Sequence, residues 1–194
     1  MNEPFFIRLR GEKTKSSLSL GADDKEESLF AVLPPGVKTG EAFLRKANAF
    51  LIPEEGDCCA ALLDDGGNVL FRFKGTDGTK DSAGSQAFPL FLLGPFLWGG
   101  ATEGGMMRAD HVQNLSRAGA EVVVAHCRAE PCRMDVLRAI ARTRAAENKI
   151  YFILTTAAEP PSIFGPSGEE LPSRKVPGGA EYLLERENLP PLLR

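Results

Sequence analysis

The chain has 194 residues and a net charge of −3, with 43% hydrophobic and 25% charged residues, the make-up of a soluble globular protein with room for a substantial core. The acidic balance argues against a nucleic-acid or membrane-surface partner, and four cysteines are too few for a disulfide scaffold. The longest apolar run, 87–98, is broken by Pro89, Gly94 and Pro95 and is too short to span a bilayer, and the opening Met-Asn-Glu-Pro-Phe-Phe lacks a basic leader, so a cytoplasmic protein is expected.

Phe5 to Leu9 reads as a short strand. Gly11 to Glu27 is polar and reads as a poor helix or a surface loop. Ser28 to Leu33 is a buried strand stopped by Pro34-Pro35-Gly36, which cannot continue a ladder. Glu41 to Ala49 has the apolar spacing of a short helix. Cys58–Leu63 and Val69–Phe73 flank Asp64-Asp65-Gly66-Gly67, a strong hairpin signal. Gly75 to Gln86 is a polar loop. Ala87 to Trp98 reads as a buried strand region, and Gly99 to Gly105 as a Gly-rich loop. Met107 to Ala118 is expected to be a helix ending at Gly119.

The strongest pattern runs from Gly119 to Thr156. Val122 to Ala125 is a β-branched run suited to a strand buried on both faces. From Arg133 to Asn148, Met134, Leu137, Ala141 and Ala145 recur at helical steps, and Asn148 can end the helix in the left-handed conformation. Ile150 to Leu154 is a second apolar strand. Strand, helix, strand implies a parallel crossover unit. Ser162 to Leu171 then reads as a hairpin around Gly165-Pro166-Ser167-Gly168, Ala180 to Leu184 as a last strand, and 188–194 as an irregular tail.

The wording of the central unit carries a resemblance. Arg142-Thr143-Arg144-Ala145-Ala146-Glu147-Asn148-Lys149-Ile150-Tyr151, preceded at the right distance by Gly119-Ala120-Glu121 and its valines, resembles the matching segments of the nitrilase, or carbon–nitrogen hydrolase, superfamily. Ala60–Lys74, Leu90–Gly94 and Ser162–Leu171 are similar to further family pieces. The likeness covers 28–187 and is densest over 107–156. It implies one nitrilase-like domain over 1–194, with a shortened N-terminal half. The implied fold is a four-layer α-β-β-α sandwich, two mixed β-sheets flanked by helices, with 132–147 as one long outer helix. It also implies a homodimer built through outer helices and the C-terminal tail, with the helices 132–147 and 107–118 as the candidate surfaces, and a small-molecule ligand; no cofactor or metal is expected.

The family's chemistry uses a Glu, Lys, Cys triad: a thiolate attacks the amide or nitrile carbon, the Glu moves protons, and the Lys helps hold the oxyanion. The Glu position falls in Leu33-Pro34-Pro35-Gly36, which offers no carboxylate, and Glu41 lies on the next helix. Lys74 stands at the family Lys position; read without the family it is an exposed lysine at a hairpin end. Counting forward from Gly94 puts the nucleophile at Trp98, and counting back from Gly119 puts it at Glu103, so neither count meets a cysteine. A rival register reads Cys127-Arg128-Ala129-Glu130-Pro131 as the nucleophile segment; the plain alternative for Cys127 is a partly buried strand-end thiol. The expectation is therefore a degenerate nitrilase-like protein acting as a binding or assembly module. The alternative is an active amidase or nitrilase-type hydrolase using Cys127.

Other residues give weaker signals. Cys127, Cys132 and His126 lack the spacing of a structural zinc site. Cys58 and Cys59 are adjacent on a strand and should face opposite ways. His111 reads as a solvated helix residue. Arg128, Arg133, Arg138, Arg142 and Arg144 form either a charged helix face paired with acids or an anion or subunit contact. Glu147 and Asn148 read as structural, holding the helix end against the next strand.

Overall fold

Apolar β-branched and aromatic runs that alternate with helical segments need two faces to bury, and in the computed structural model they find them in two stacked sheets. The structure describes residues 5–12, 25–32, 49–53, 58–64, 68–74, 90–127, 133–156, 159–176 and 179–189. The first sheet contains β1 (Phe5–Glu12), β2 (Lys25–Val32), β3 (Ala49–Pro53), β4 (Cys58–Asp64) and β5 (Val69–Lys74). The second contains β6 (Leu90–Leu93), β7 (Phe96–Thr102), β8 (Val122–Cys127), β9 (Tyr151–Thr156) and β10 (Ser162–Phe164). The chain then returns to the first sheet with β11 (Arg174–Val176) and β12 (Gly179–Glu185). The spatial orders are β11-β12-β1-β2-β3-β4-β5 and β10-β9-β8-β7-β6.

Both sheets are mixed. β1 pairs in parallel with β12 and antiparallel with β2, while β7, β8 and β9 run parallel and are edged by antiparallel β6 and β10. The parallel β8–β9 pair, with α3 (Met134–Asn148) between its strands, is the expected crossover unit. α1 (Glu103–Met107) and α2 (Ala109–Arg117) lie beside α3 on the same face of the second sheet.

Alternation along the strands sorts the core into two layers. Ile7, Phe30, Tyr182 and Leu184 from the first sheet meet Phe96, Trp98, Val122, Val124, Tyr151 and Ile153 from the second. Trp98 is fully buried, its ring 5.0 Å from Phe30 and 6.1 Å from Phe91, and its indole N–H donates to Leu93 O at 3.2 Å. On the other side of the second sheet, Val123, Ala125, Cys127, Phe152 and Leu154 pack against Met106, Val112, Leu115, Leu137, Ala141 and Ala145 from the helices. Each such fully buried large apolar side chain contributes roughly 1.5–3 kcal/mol. The expected two-sheet α/β sandwich is therefore present, with the helical layer on the second sheet formed by described residues.

Several expectations need adjustment. Residues 87–98 do not form one strand: Gly94-Pro95 makes a two-residue turn, with Gly94 at φ 56°, between β6 and β7. Gly99 to Thr102 is not loop but the second half of β7. Gly99 is glycine because a Cβ there would lie 3.0 Å from Leu115 Cδ2, so α2 can approach the sheet closely. β3 and β11 add strands that periodicity did not suggest. The helix expected over 41–49 lies outside the described residues up to Ala49, which opens β3. Of the polar stretch 11–27, Gly11 and Glu12 end β1 and Lys25 to Glu27 open β2, so its ends are strand rather than helix or loop, because they pair with each other across the antiparallel β1–β2 ladder; 13–24, the Pro34-Pro35-Gly36 stop, the loop 75–86 and the tail 190–194 lie outside the described residues.

Two helix ends explain the chain turns that set up the central unit. Gly119, at φ 104°, donates to Ser116 O, and Ala120 donates to Leu115 O, the paired bonds that close a helix through a left-handed glycine. At the end of α3 it is Lys149, at φ 55°, that turns left-handed, not Asn148. Asn148 stays helical and its Nδ2 donates to Arg144 O at 2.9 Å. No helix among the described residues is long and apolar enough to cross a membrane.

Candidate functional site

Parallel strands bring their carboxyl ends to one edge, and in α/β sheets polar groups for ligands gather there. In the second sheet the register sets Thr102 beside His126 and His126 beside Thr155. Glu103 and Cys127 each stand one residue further along. Of the positions named from the sequence for a nucleophile, Glu103 and Cys127 stand at this row and Trp98 does not.

At the end of β7 the chain turns directly into α1. Thr102 Oγ1 accepts the Gly105 N–H at 3.2 Å and caps that helix. Glu103, the first helical residue, pairs with Arg133 at 3.0 Å. The two counts for the nucleophile are thereby separated. Trp98 lies mid-strand and is wholly core, because the Gly94-Pro95 turn precedes β7 rather than ending it. Glu103 lies at the strand-to-helix junction.

Cys127 ends β8 with no exposed surface, so it is buried rather than partly buried. Its side chain belongs to the layer between the second sheet and the helices, with Ala101, Ala125 and Met134. His126 points the other way, into the space between the sheets, as alternation requires. Its Nδ1 lies 2.9 Å from Thr155 Oγ1, and that hydroxyl donates to Ala125 O at 3.1 Å. Since the hydroxyl proton goes to the carbonyl, Nδ1–H is the donor to Thr155. His126 and Cys127 thus serve opposite faces of β8.

Lys74 is the last residue of β5, opposite Cys58 in β4, and β5 packs over β7. Its backbone therefore sits in the first sheet, across from the second. The register of β4 on β5 shifts between Cys58 and Ala60, so the regular alternation assumed for Cys58 and Cys59 is interrupted there. The segment expected to supply the family Glu, together with Glu41, Arg128 and Cys132, lies outside the described residues.

The residues that carry the resemblance hold the fold. Arg144 donates to Met106 O at 3.3 Å and Met107 O at 3.1 Å, binding α3 to the end of α1, and also pairs with Glu147 at 3.0 Å. Ser116 Oγ donates to Asn148 O at 3.2 Å and ties α2 to the same helix end. Arg142 lies over the Phe164 ring, 5.7 Å from its centroid, and Arg138 pairs with Glu159 at 2.7 Å. With Arg133 on Glu103, the described arginines of this cluster each have an acidic neighbour, the paired-face reading rather than an anion site. His111 is half-buried against α1, its ring 3.1 Å from where a Cβ on Gly105 would stand, so it is not a solvated residue.

Two polar features escaped the sequence. One is the His126–Thr155 pair, two polar residues in register at the ends of apolar strands. The other is Glu121. This carboxylate is buried; it accepts Leu97 N–H at 3.0 Å, and Arg186 Nε and NH2 at 3.0 and 2.9 Å. Tyr151 adds to the same clasp, its hydroxyl donating to Glu185 O at 2.8 Å. Burial pushes the Tyr151 hydroxyl above the usual phenol range. The only outward hint of Glu121's role is its place as the acid between Gly119-Ala120 and an all-apolar strand.

No protein-family model matches the sequence, and no curated protein matches it. Among solved structures it is similar to a cysteine-to-alanine mutant of the Nesterenkonia AN1 amidase from the nitrilase superfamily, at 19% identity and a TM-score of 0.49, over 68% of this chain and 59% of that one. It is similar to a mutant of that amidase with the acetamide moiety of fluoroacetamide added at its active-site cysteine, at 19% identity and 0.49, over 69% and 58%. A further mutant, in complex with butyramide, matches at 20% identity and 0.48, over 69% and 57%. The chain spans less than two thirds of the length of these amidases. The sandwich described above stands on this chain's own strands and helices.

Proposed function

We propose that the protein is a nitrilase-like domain without carbon–nitrogen hydrolase activity, kept as a binding or assembly module that works as a homodimer and accepts a small-molecule ligand. One observation carries the reading: the strand-to-helix junction at Thr102–Glu103 offers a hydroxyl engaged in a helix cap and a carboxylate paired with Arg133, and no thiol. A carboxylate already held by a guanidinium is a poor substitute for a thiolate, whose attack starts the family's reaction. The residues of a triad act together, so loss of the nucleophile alone removes nearly all of the rate. Cys127 is a weak replacement, since its sulfur is buried on the helix side of β8 while Lys74 belongs to the sheet on the other side. Placement in the cytoplasm is part of the same reading. Purified protein should release no ammonia from simple amides or nitriles above a buffer blank. Turnover that disappears in Cys127→Ser would overturn the reading in favour of an active hydrolase using that thiol.

A further inference from the structure

Four strands form the edges of the two sheets: β5 and β11 in the first, β6 and β10 in the second. An edge strand offers a row of backbone groups with which a further strand can pair, and proteins guard such edges with charge or cover them. Three of these edges are guarded. β5 carries Arg72 and Lys74, and β11 carries Arg174 and Lys175. β10 is buried along its whole length, with Arg138 donating to Ser162 Oγ at 3.1 Å. β6 differs: it reads Leu-Phe-Leu-Leu, has no charge, and leaves Leu92 68% exposed.

The register shows which backbone groups of β6 face outward. Leu92 stands opposite Leu97. The Leu97 N–H donates to the Glu121 carboxylate at 3.0 Å, and the Leu97 carbonyl accepts the Glu121 N–H at 2.7 Å, both on the β8 side. The Leu92–Leu97 pair is therefore not a hydrogen-bonded one, and the Leu92 N–H and C=O point away from β7. Leu90, two residues back and opposite Gly99, repeats the arrangement. Among the described residues no strand lies beyond β6. The side chains sort by alternation. Phe91 and Leu93 pack between the sheets, and Leu90 packs into the layer under the helices. Leu92 shares the face of Leu90 and stays mostly in water.

We propose that the outer edge of β6 is a docking site for an extended segment of another protein, which adds a strand to the second sheet through the N–H and C=O groups of Leu90 and Leu92. The segment is uncharged, like β6 itself, and alternates. Its aliphatic residues lie on the Leu92 face, and its polar ones on the other face, where Phe91 and Leu93 are already packed. A second copy of the chain fits this edge less well. β6 has only four residues, a length of about 13 Å. An edge contact of that length between two folded chains falls short of the roughly 1,000 Å² that a stable interface needs. A peptide instead gains its affinity from main-chain bonds and its selectivity from alternate side chains. The edge is the same whether or not the chain turns over an amide, so this site stands independently of the hydrolase question.

The probe is a fluorescein-labelled, end-blocked peptide of alternating Thr and Val, titrated with the full chain and followed by fluorescence anisotropy. The wild-type chain should bind it with a Kd below about 0.3 mM. Leu92 is mostly in water, so Leu92→Lys should stay folded by circular dichroism. By charging the edge it should weaken binding by about tenfold or more. The same peptide N-methylated along its backbone should not bind wild type, because it has lost its main-chain donors. Equal binding to wild type and Leu92→Lys, or equal binding of the two peptides, would overturn the site. No binding of the unmethylated peptide to wild type at about 0.3 mM would overturn it as well. Self-association of the wild type that Leu92→Lys abolishes, seen by sedimentation, would give the edge to a second copy and overturn the peptide as its occupant.

Discussion

Glu121 offers a sharp test of how the chain is held together. Its carboxylate joins three stretches: the start of β7 through Leu97 N–H, the start of β8 on which it stands, and the segment after β12 through Arg186. Glu121→Ala would strand the half-buried Leu97 N–H and leave Arg186, itself 29% exposed, without its acid. Hydrogen bonds to charged groups contribute about 1.5–3 kcal/mol each, and breaking a buried pair costs about 3–5 kcal/mol. Discounting for the partial exposure of Arg186, a loss of about 3 kcal/mol is expected. For a chain of this length that lowers Tm by about 6–12 °C. Glu121→Gln keeps an acceptor for Leu97 and loses only the charge, so its loss should be about half as large. Thermal unfolding followed by circular dichroism reads both variants. A drop of less than about 2 °C for Glu121→Ala would refute the view that this clasp fastens the C-terminal segment to the second sheet.

Glu181 predicts an acid limit to stability. Burial pushes its carboxyl up, and hydrogen bonds from Arg8 and Arg174 more than offset this, holding it below the ordinary carboxylate value. A depressed folded-state value means the stabilisation is present above the ordinary value and is lost as pH falls through the folded one. Tm should therefore fall on acidification through that range, and Glu181→Gln should flatten the fall; an unchanged acid limb in the variant would contradict this. Gly168 sits at φ 84° with Arg142 O 3.3 Å and Ala146 Cβ 3.2 Å from any added Cβ. Gly168→Ala should cost about 1–2 kcal/mol by thermal or urea unfolding, and a neutral result would show that the 165–168 turn relaxes freely.

The sequence disclosed what depends on short-range pattern. The β8–α3–β9 unit was legible because its strands are buried on both faces and its helix repeats apolar residues at one interval, with Gly119 marking where α2 ends. The β4–β5 hairpin was legible from Asp64-Asp65-Gly66-Gly67 between two apolar runs. Where glycine served packing rather than turning, the reading failed. Gly99 and Gly100 looked like loop but lie inside β7, paired with Val123 and Val124 of β8, and at Gly99 an added Cβ would crowd Leu115. Gly94-Pro95 looked internal to a strand but turns it, and that displaced the forward count to Trp98. β11, written Arg-Lys-Val, has the composition of surface coil; only its pairing with β12 at the sheet edge makes it a strand. For the candidate site, the resemblance singled out Lys74 and Cys127 as residues to examine, but which face of β8 the thiol occupies depends on a register that one sequence does not fix, since a shift of one residue exchanges the two faces.

The central proposal is that, among the described residues, no thiol stands ready as a nucleophile at the carboxyl edge of the second sheet. Alkylation of the native protein with iodoacetamide, with each cysteine followed by peptide mass, tests it directly. Cys127, fully buried on the helix side of β8, should stay unlabelled for hours under native conditions and label within minutes once the chain is denatured. Rapid labelling of Cys127 in the folded protein, slowed by a simple amide, would mean that the thiol opens onto an active site and would contradict the account.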